Sequence, residues 1–370
     1  MNIACFISSH GYGHATRSLA VIQKLSELLK INVSVFGGFP NWFIEENLNG
    51  INFKNYEIKT DVGLVQKNPF THDLDETINQ LSNFLRFKDD DIKQIEYLLK
   101  KNKPDFILCD ISPLGIVLGK KLNIPVCLLE NFTWDWIYRE YESQGNELSK
   151  QILILKNIFE SADMHIQTEP ICKPKNGSFK VSPIFRPNQK QVIEVKAEIG
   201  IKNFKNIILV TTGGISQNYT FLNEIKNDKR NFYILAGDFK NENAQENFIL
   251  LPHNNRFYFP DLVNIADVVV GKVGYGTVAE AWGFNKPLIG IYRKDFKESA
   301  PMRKFVNQNL SGFEIKYQSF EDGSWIKKID RFTKKLKFKK SLCNFEENGR
   351  NEVAKIIFDW SENKFISNTH

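Results

Sequence analysis

The chain has 370 residues, 42% of them hydrophobic, and a formal charge of +6 from 49 lysines and arginines against 43 acidic residues. That length suits two ordinary domains with real cores, and the composition excludes a disordered or fibrous protein. Five scattered cysteines (Cys5, Cys109, Cys127, Cys172, Cys343) form no C-x-x-C pair, no basic segment leads into an apolar one at the start, and no run approaches about 18 apolar residues. These features argue against a disulfide framework, a signal peptide and a membrane span, and predict a cytoplasmic protein, at most peripheral at a membrane.

Strand and helix signals then alternate along the chain. Strands are expected at 3–8, 32–37, 51–58, 105–110, 125–130, 164–168 and 181–185, with helical periodicity at 15–30, 73–101, 113–122 and 146–161. This is the βαβ rhythm of a parallel sheet. The proline-bearing stretch Ser182 to Asn188 interrupts it, and a second series of strands follows at 207–210, 232–237, 248–251, 267–271, 287–292 and 313–317. The expected domains are residues 1–185, residues 186–345, and a last segment, 346–370, whose amphipathic stretch Val353 to Trp360 returns to the first domain. The excess positive charge sits late, in Lys327-Lys328 and the lysines of 334–340. A solvated helix face is the default for such a run, an anionic membrane or polyanion the alternative, and nothing in it gives a strong nucleic-acid signal.

Two glycine turns stand out. His10-Gly11-Tyr12-Gly13-His14 and Gly271-Lys272-Val273-Gly274-Tyr275-Gly276-Thr277 each follow an apolar strand and open a helix. At such a junction, glycine lets the backbone come close to a ligand, and the free amides and dipole of the helix favour an anion such as phosphate. Neither turn is a Walker loop or a G-x-G-x-x-G fingerprint. Open α/β sheets bind ligands beyond the carboxyl ends of their strands, so the residues that follow each run are the informative ones. In the first half these are Ser8, His10 and His14, then Asp110, then Glu130, Asn131, Trp134 and Asp135; in the second, Gly213, Gly214 and Ser216, the second glycine turn, and Arg293 to Glu298.

The stretch from Gly271 to Ala281, the segment Asn131-Phe132-Thr133-Trp134-Asp135-Trp136-Ile137-Tyr138, and His10-Gly11-Tyr12-Gly13-His14-Ala15-Thr16-Arg17 resemble the N-terminal, glycosyltransferase-like region of L-arabinokinases. More distantly the layout is similar to GT-B glycosyltransferases. The sugar-kinase half of arabinokinases has no counterpart here, so sugar phosphorylation is not implied. The resemblance implies an α/β protein of GT-B architecture: two facing Rossmann-like, doubly wound domains with a cleft between them, the donor mainly on the C-terminal one and the acceptor mainly on the N-terminal one.

It also implies roles. His14 matches a histidine that accepts the acceptor's proton, with His10 as the competing base and Asp110 or Asp135 to orient either ring. Glu280 matches a glutamate that binds the donor ribose hydroxyls, although Thr277-Val278-Ala279-Glu280 is equally the pattern of a helix capping box. Gly13, Gly213, Gly214, Ser216, Gly274, Tyr275, Gly276 and Thr277 fall at diphosphate-contacting positions, and Lys272 supplies a point charge for the leaving diphosphate. Arg293 and Glu298 lie where donor sugar hydroxyls are contacted, with an exposed charged loop as the alternative. Asn131, Trp134 and Asp135 match an acceptor-side patch, although a tryptophan in so aromatic a chain is as readily a core residue.

The carboxylates do not group as a metal site, so the expected reaction is metal-independent, inverting transfer from a nucleotide sugar, UDP-linked by family habit, with no further cofactor. Two other readings stay open. One is an enzyme of this fold acting on the nucleotide sugar itself, a 2-epimerase or hydrolase; the other is a non-catalytic nucleotide-sugar-binding module.

Overall fold

The computed structural model describes residues 1–68, 71–213, 219–335 and 347–367. The chain forms two compact units: Met1–Val65 with His72–Ile184 and Glu346–His370, and Phe185–Phe345 with Gln66–Thr71. The chain therefore changes unit between Ile184 and Phe185.

The first unit opens with β1 (Asn2–Ile7), α1 (Tyr12–Leu28), β2 (Asn32–Gly37), α2 (Asn41–Asn47) and β3 (Asn52–Glu57). A small two-stranded sheet of β4 (Val65–Asn68) and β5 (Thr71–Asp73), of which Gln66–Thr71 group with the second unit, precedes α3 (Leu74–Phe84) and α4 (Asp89–Asn102). The unit continues through β6 (Phe106–Asp110), α5 (Pro113–Leu122), β7 (Val126–Glu130), α6 (Trp134–Tyr138), α7 (Asn146–Glu160), β8 (Met164–Thr168) and β9 (Phe179–Val181). Its main sheet has the order β3-β2-β1-β6-β7-β8-β9, all parallel. Every residue of β6 and β7 is buried, as expected of parallel strands covered on both faces.

The second unit contains α8 (Val192–Ile199), β10 (Asn206–Thr211), α9 (Leu222–Asn227), β11 (Asn231–Gly237), β12 (Asn243–Ala244), β13 (Phe248–Pro252), α10 (Phe259–Ile265) and β14 (Val268–Lys272). It ends with α11 (Tyr275–Gly283), β15 (Leu288–Ile291), α12 (Ser299–Asn309), β16 (Gly312–Glu314), α13 (Tyr317–Glu321) and α14 (Ile329–Lys335). The sheet order is β12-β13-β11-β10-β14-β15-β16, parallel except at the short edge strand β12. Close strand packing explains Gly271: a Cβ there would lie 1.8 Å from the backbone oxygen of Thr211 on the neighbouring strand.

A last helix, α15 (Gly349–Ser367), lies in the first unit against α1. Val353, Ala354 and Ile357 are fully buried in the core that also holds Leu19, Ile22 and Leu25, and Glu352 accepts a hydrogen bond from the Ser182 amide at 3.1 Å.

Two expectations need correcting, and some short elements had no forecast. The helical run 73–101 is two helices, interrupted by residues 85–88, where Phe87 adopts a left-handed φ of 43°. The strand expected at 181–185 is β9, ending at Val181, because prolines 183 and 187 cannot donate to a sheet. The helices α2 and α6 and the β4–β5 pair are too short to carry a periodic signal. Of the Lys-rich stretch, Lys327, Lys328 and Lys334 are exposed, and residues 336–340 lie outside the described residues, as do Gly214, Ser216 and Cys343.

Candidate functional site

In each unit the strand order is that of a doubly wound sheet, reversing between the first and fourth parallel strands of the series: between β1 and β6, and between β10 and β14. Ligands of such sheets bind beyond the carboxyl ends of these two strands. The residues found there are those of the two glycine turns.

In the first unit, Gly11 holds a φ of 88° and caps α1, which places His14 and Arg17 on the helix's buried face. His14 Nδ1 lies 2.8 Å from Asp110 Oδ1 at the end of β6. The Asp110 carboxylate also accepts from Arg17 Nε at 2.6 Å, from Arg17 Nη2 at 2.5 Å and from Ser18 Oγ at 2.8 Å. Burial alone would raise this carboxyl group, but the Arg17 charge, with His14, outweighs it and holds Asp110 below the ordinary carboxylate range. Arg17 Nη1 donates to Asn131 Oδ1 at 2.5 Å, so that the amide following β7 is part of the same network. With Nδ1 carrying the proton toward Asp110, His14 Nε2 bears the lone pair that a base requires.

A second buried carboxylate faces this cluster. Asp61, in the segment after β3, accepts from Trp134 Nε1 at 2.7 Å and from Ser8 and the Ser9 amide, and interacts electrostatically with His14. Burial pushes its carboxyl group up, against those hydrogen bonds. Trp134 is thus a core residue, 1% exposed, whose ring stands perpendicular to that of His10 with centroids 5.1 Å apart. Asp135 is buried in the first turn of α6, and Asp110 is the carboxylate hydrogen-bonded to His14. His10 also fills the space beside Gly63, where a Cβ would lie 2.8 Å from its Nδ1. Gly13 stands in the first turn of α1 and accepts from Thr16 Oγ1 at 3.0 Å.

In the second unit, Gly274 caps α11 with an extended backbone, and a Cβ added to it would meet no atom within 4 Å among the described residues. Its glycine therefore answers to neither strain nor packing, and leaves open space before the amides of Tyr275, Gly276 and Thr277. Gly213, at φ 71°, lies two residues past the end of β10, whose Thr211 pairs with Gly271.

Lys272 is the last residue of β14, 8% exposed, and burial together with Arg293 pulls its pKa down to about 7, against the opposing pull of Glu298. Arg293 and Glu298 are 7% and 5% exposed, so they form no solvated loop; the Arg293 guanidinium lies 3.3 Å from the Phe296 ring centroid. Glu280 is inside α11 and makes no capping box. Its Oε1 accepts from Arg186 Nε at 2.9 Å and Nη2 at 2.8 Å, while the Arg186 guanidinium stacks on Tyr258 at 5.3 Å. Burial raises the Glu280 carboxyl group and Arg186 opposes it.

Arg17, Ser18, Asp61 and Arg186 escaped the sequence reading. Arg17 was the most accessible of them: it shares one helix face with His14, Val21 and Leu25, and a charged residue on an apolar face announces a buried partner. Among the described residues, no group of three or more His, Cys, Asp or Glu side chains is placed to hold a metal ion, and no helix is long and apolar enough to cross a membrane.

Two doubly wound units of this kind, each with polar groups at its reversal point, are the two halves of a GT-B transferase. The sequence pattern described as glycosyl transferase family 1 matches residues 1–332, and the chain belongs to that family. It is 25% identical over 332 residues to the L-arabinokinase of Arabidopsis thaliana, covering 89% of this chain but only 32% of that protein. Solved structures share the fold. The calicheamicin glycosyltransferase CalG4 aligns with a TM-score of 0.64 at 15% identity, over 97% of this chain and 98% of that one. The spinosyn rhamnosyltransferase SpnG, complexed with thymidine diphosphate, aligns at 0.62 with 11% identity, over 98% and 100%. The glycosyltransferase of kitacinnamycin aligns at 0.62 with 15% identity, over 96% and 98%.

Proposed function

We propose that this glycosyltransferase transfers a sugar from a nucleotide sugar to an acceptor hydroxyl or amine by a single inverting displacement, with His14 as the base. The hydrogen bond from His14 Nδ1 to Asp110 carries this reading, because it orients the ring and leaves Nε2 to take the acceptor's proton. The acceptor oxygen or nitrogen forms a bond to the anomeric carbon as its proton passes to Nε2, and the bond from that carbon to the diphosphate breaks. The leaving diphosphate keeps the electron pair. Its charge is met by the amides at the start of α11 and by the buried cations Lys272 and Arg293, which stabilise charge as it develops. Asp110 stabilises the imidazolium that forms. Glu280, whose Oε1 is held by Arg186, is assigned to the ribose hydroxyls.

The nucleotide is proposed to be UDP, with dTDP beside it because SpnG was solved with thymidine diphosphate. The test is a thermal-shift panel of nucleoside diphosphates and their sugars, followed by release of nucleoside diphosphate in the presence of candidate acceptors. Stabilisation by one nucleotide, lost in Glu280→Ala, and acceptor-dependent release lost in His14→Ala, are the expected results. Release without any acceptor would instead identify a hydrolase or epimerase, and binding without turnover under any condition a non-catalytic module.

A further inference from the structure

We propose that Arg17 is a positioning residue whose buried charge opposes protonation of His14 while its fork fixes the carboxylate that orients the imidazole. The inference rests on the reading of His14 as the base.

The charged groups facing His14 come from three elements. Asp110 approaches from β6, Asp61 from the segment after β3, and Arg17 from one turn further along α1 itself; the ring of Phe132, after β7, closes a fourth side edge-on at 5.8 Å. Two carboxylates in a dry site, with no cation beside them, would favour the imidazolium. An imidazolium has a proton on both nitrogens and cannot accept another. Arg17 changes that balance. Its side chain is 0% exposed, and its Nη2 lies 3.1 Å from His14 Nδ1. Its charge is permanent, because a guanidinium does not lose its proton in a protein.

The geometry serves orientation as well. Two donors of Arg17 take one oxygen each of Asp110, and Ser18 takes a further lone pair of Oδ2, so the carboxylate cannot rotate away from Nδ1. Asn131 Oδ1 anchors the far side of the fork. A lysine could supply the charge here but not the two-point grip.

The experiment follows the His14 ring directly, by NMR titration of the histidine-labelled 370-residue chain, with His14→Gln assigning its signal among the six histidines. In Arg17→Met the ring should titrate about one to two pH units higher than in the wild type, from the loss of a unit charge at this distance in a partly screened interior. Arg17→Lys should stay within about half a unit of the wild type, since it keeps the charge. Asp110→Asn should move the ring about a unit or more in the opposite direction, and it supplies the sign of the effect if Arg17→Met does not fold. An unchanged titration in Arg17→Met, or in Asp110→Asn where the former is unfolded, overturns the proposal.

Activity gives a second readout. The acid limb of the kcat profile of Arg17→Met, taken at saturating donor, should rise by the same interval, whereas a merely structural defect would lower kcat equally at every pH. If His14→Ala retains transfer, the base assignment fails while the titration result stands; if His14→Ala is inactive and the Arg17→Met titration is unchanged, the present inference fails alone.

Discussion

On the role proposed for Lys272, nucleotide binding should depend on pH in a way that can be worked out in advance. The ammonium is held at the end of β14 with its pKa pulled from 10.5 to about 7 by burial and by Arg293. At about 1.36 kcal/mol per pH unit, that interval corresponds to roughly 4–5 kcal/mol as an upper bound on what the site withholds from the charged form. A diphosphate bound beside it restores the charge by opposing it. Between pH 7.5 and 9 the nucleotide's own phosphates, with a second pKa of about 6, no longer titrate, so Lys272 is left as the group taking up a proton on binding. Affinity for a nucleoside diphosphate should therefore fall nearly tenfold per pH unit, or about 30-fold across that window.

Calorimetric titration in two buffers of different ionisation enthalpy should show uptake of close to one proton per nucleotide at pH 8.5. Lys272→Met should bind weakly and without pH dependence. The reasoning is refuted by an affinity that is flat from pH 7.5 to 9 in the wild type, or by zero proton uptake. The sign for folding follows from the same numbers. The unfolded chain binds the Lys272 proton up to about pH 10 and the native chain only up to about 7, so this residue's contribution makes the wild type more stable as pH rises between the two values. Lys272→Met should lose that slope, as read by urea unfolding at pH 7 and 9.

Other outcomes follow from contacts already described. Removing Arg186 strands a buried carboxylate, so Arg186→Met should lower stability by about 3–5 kcal/mol in urea unfolding, and the double variant with Glu280→Gln should recover most of it. Asp110→Asn should reduce kcat by about 10²–10⁴-fold with little change in KM for the donor, by loss of ring orientation and of imidazolium stabilisation. Gly271→Ala forces a backbone shift between β14 and β10 and should cost about 2–3 kcal/mol or more, measured by the urea midpoint. Trp134→Phe removes the indole donor from Asp61 and should cost about 1–3 kcal/mol, while leaving donor binding, measured by calorimetry, unchanged.

The sheets were legible in the sequence because their strands are buried on both faces. Runs such as Phe106–Asp110 and Val268–Lys272 need no partner to be recognised, and the residues just past them point to the reversal of strand order. The break between α3 and α4 was not legible, since no proline or glycine marks it and Phe87 takes the left-handed conformation without the usual residue type. At the candidate site, the glycine turns stood out by spacing, and His14 by the resemblance of the stretch that carries it. Their partners did not: Arg17 meets Asp110 across 93 positions, and Arg186 meets Glu280 across 94. Such pairs depend on topology, and a local pattern carries no trace of them. Trp134 shows the converse, a residue type suited to ligand contact that is consumed by a buried carboxylate.

The return of α15 to the first unit sets the order in which the molecule can be completed. Val353, Ala354 and Ile357 fill a core whose other members, Leu19 and Ile22 among them, are made more than 300 positions earlier. During synthesis, the α1 face they cover stays uncovered while the whole second unit is being translated, an interval of roughly 10–30 s at about 5–20 residues per second. A ribosome that stops before Gly349 would therefore release a chain with an apolar groove on its first unit. Supplying residues 347–370 as a separate peptide should close that groove, so the chain can in principle be rejoined from two pieces cut ahead of its last helix.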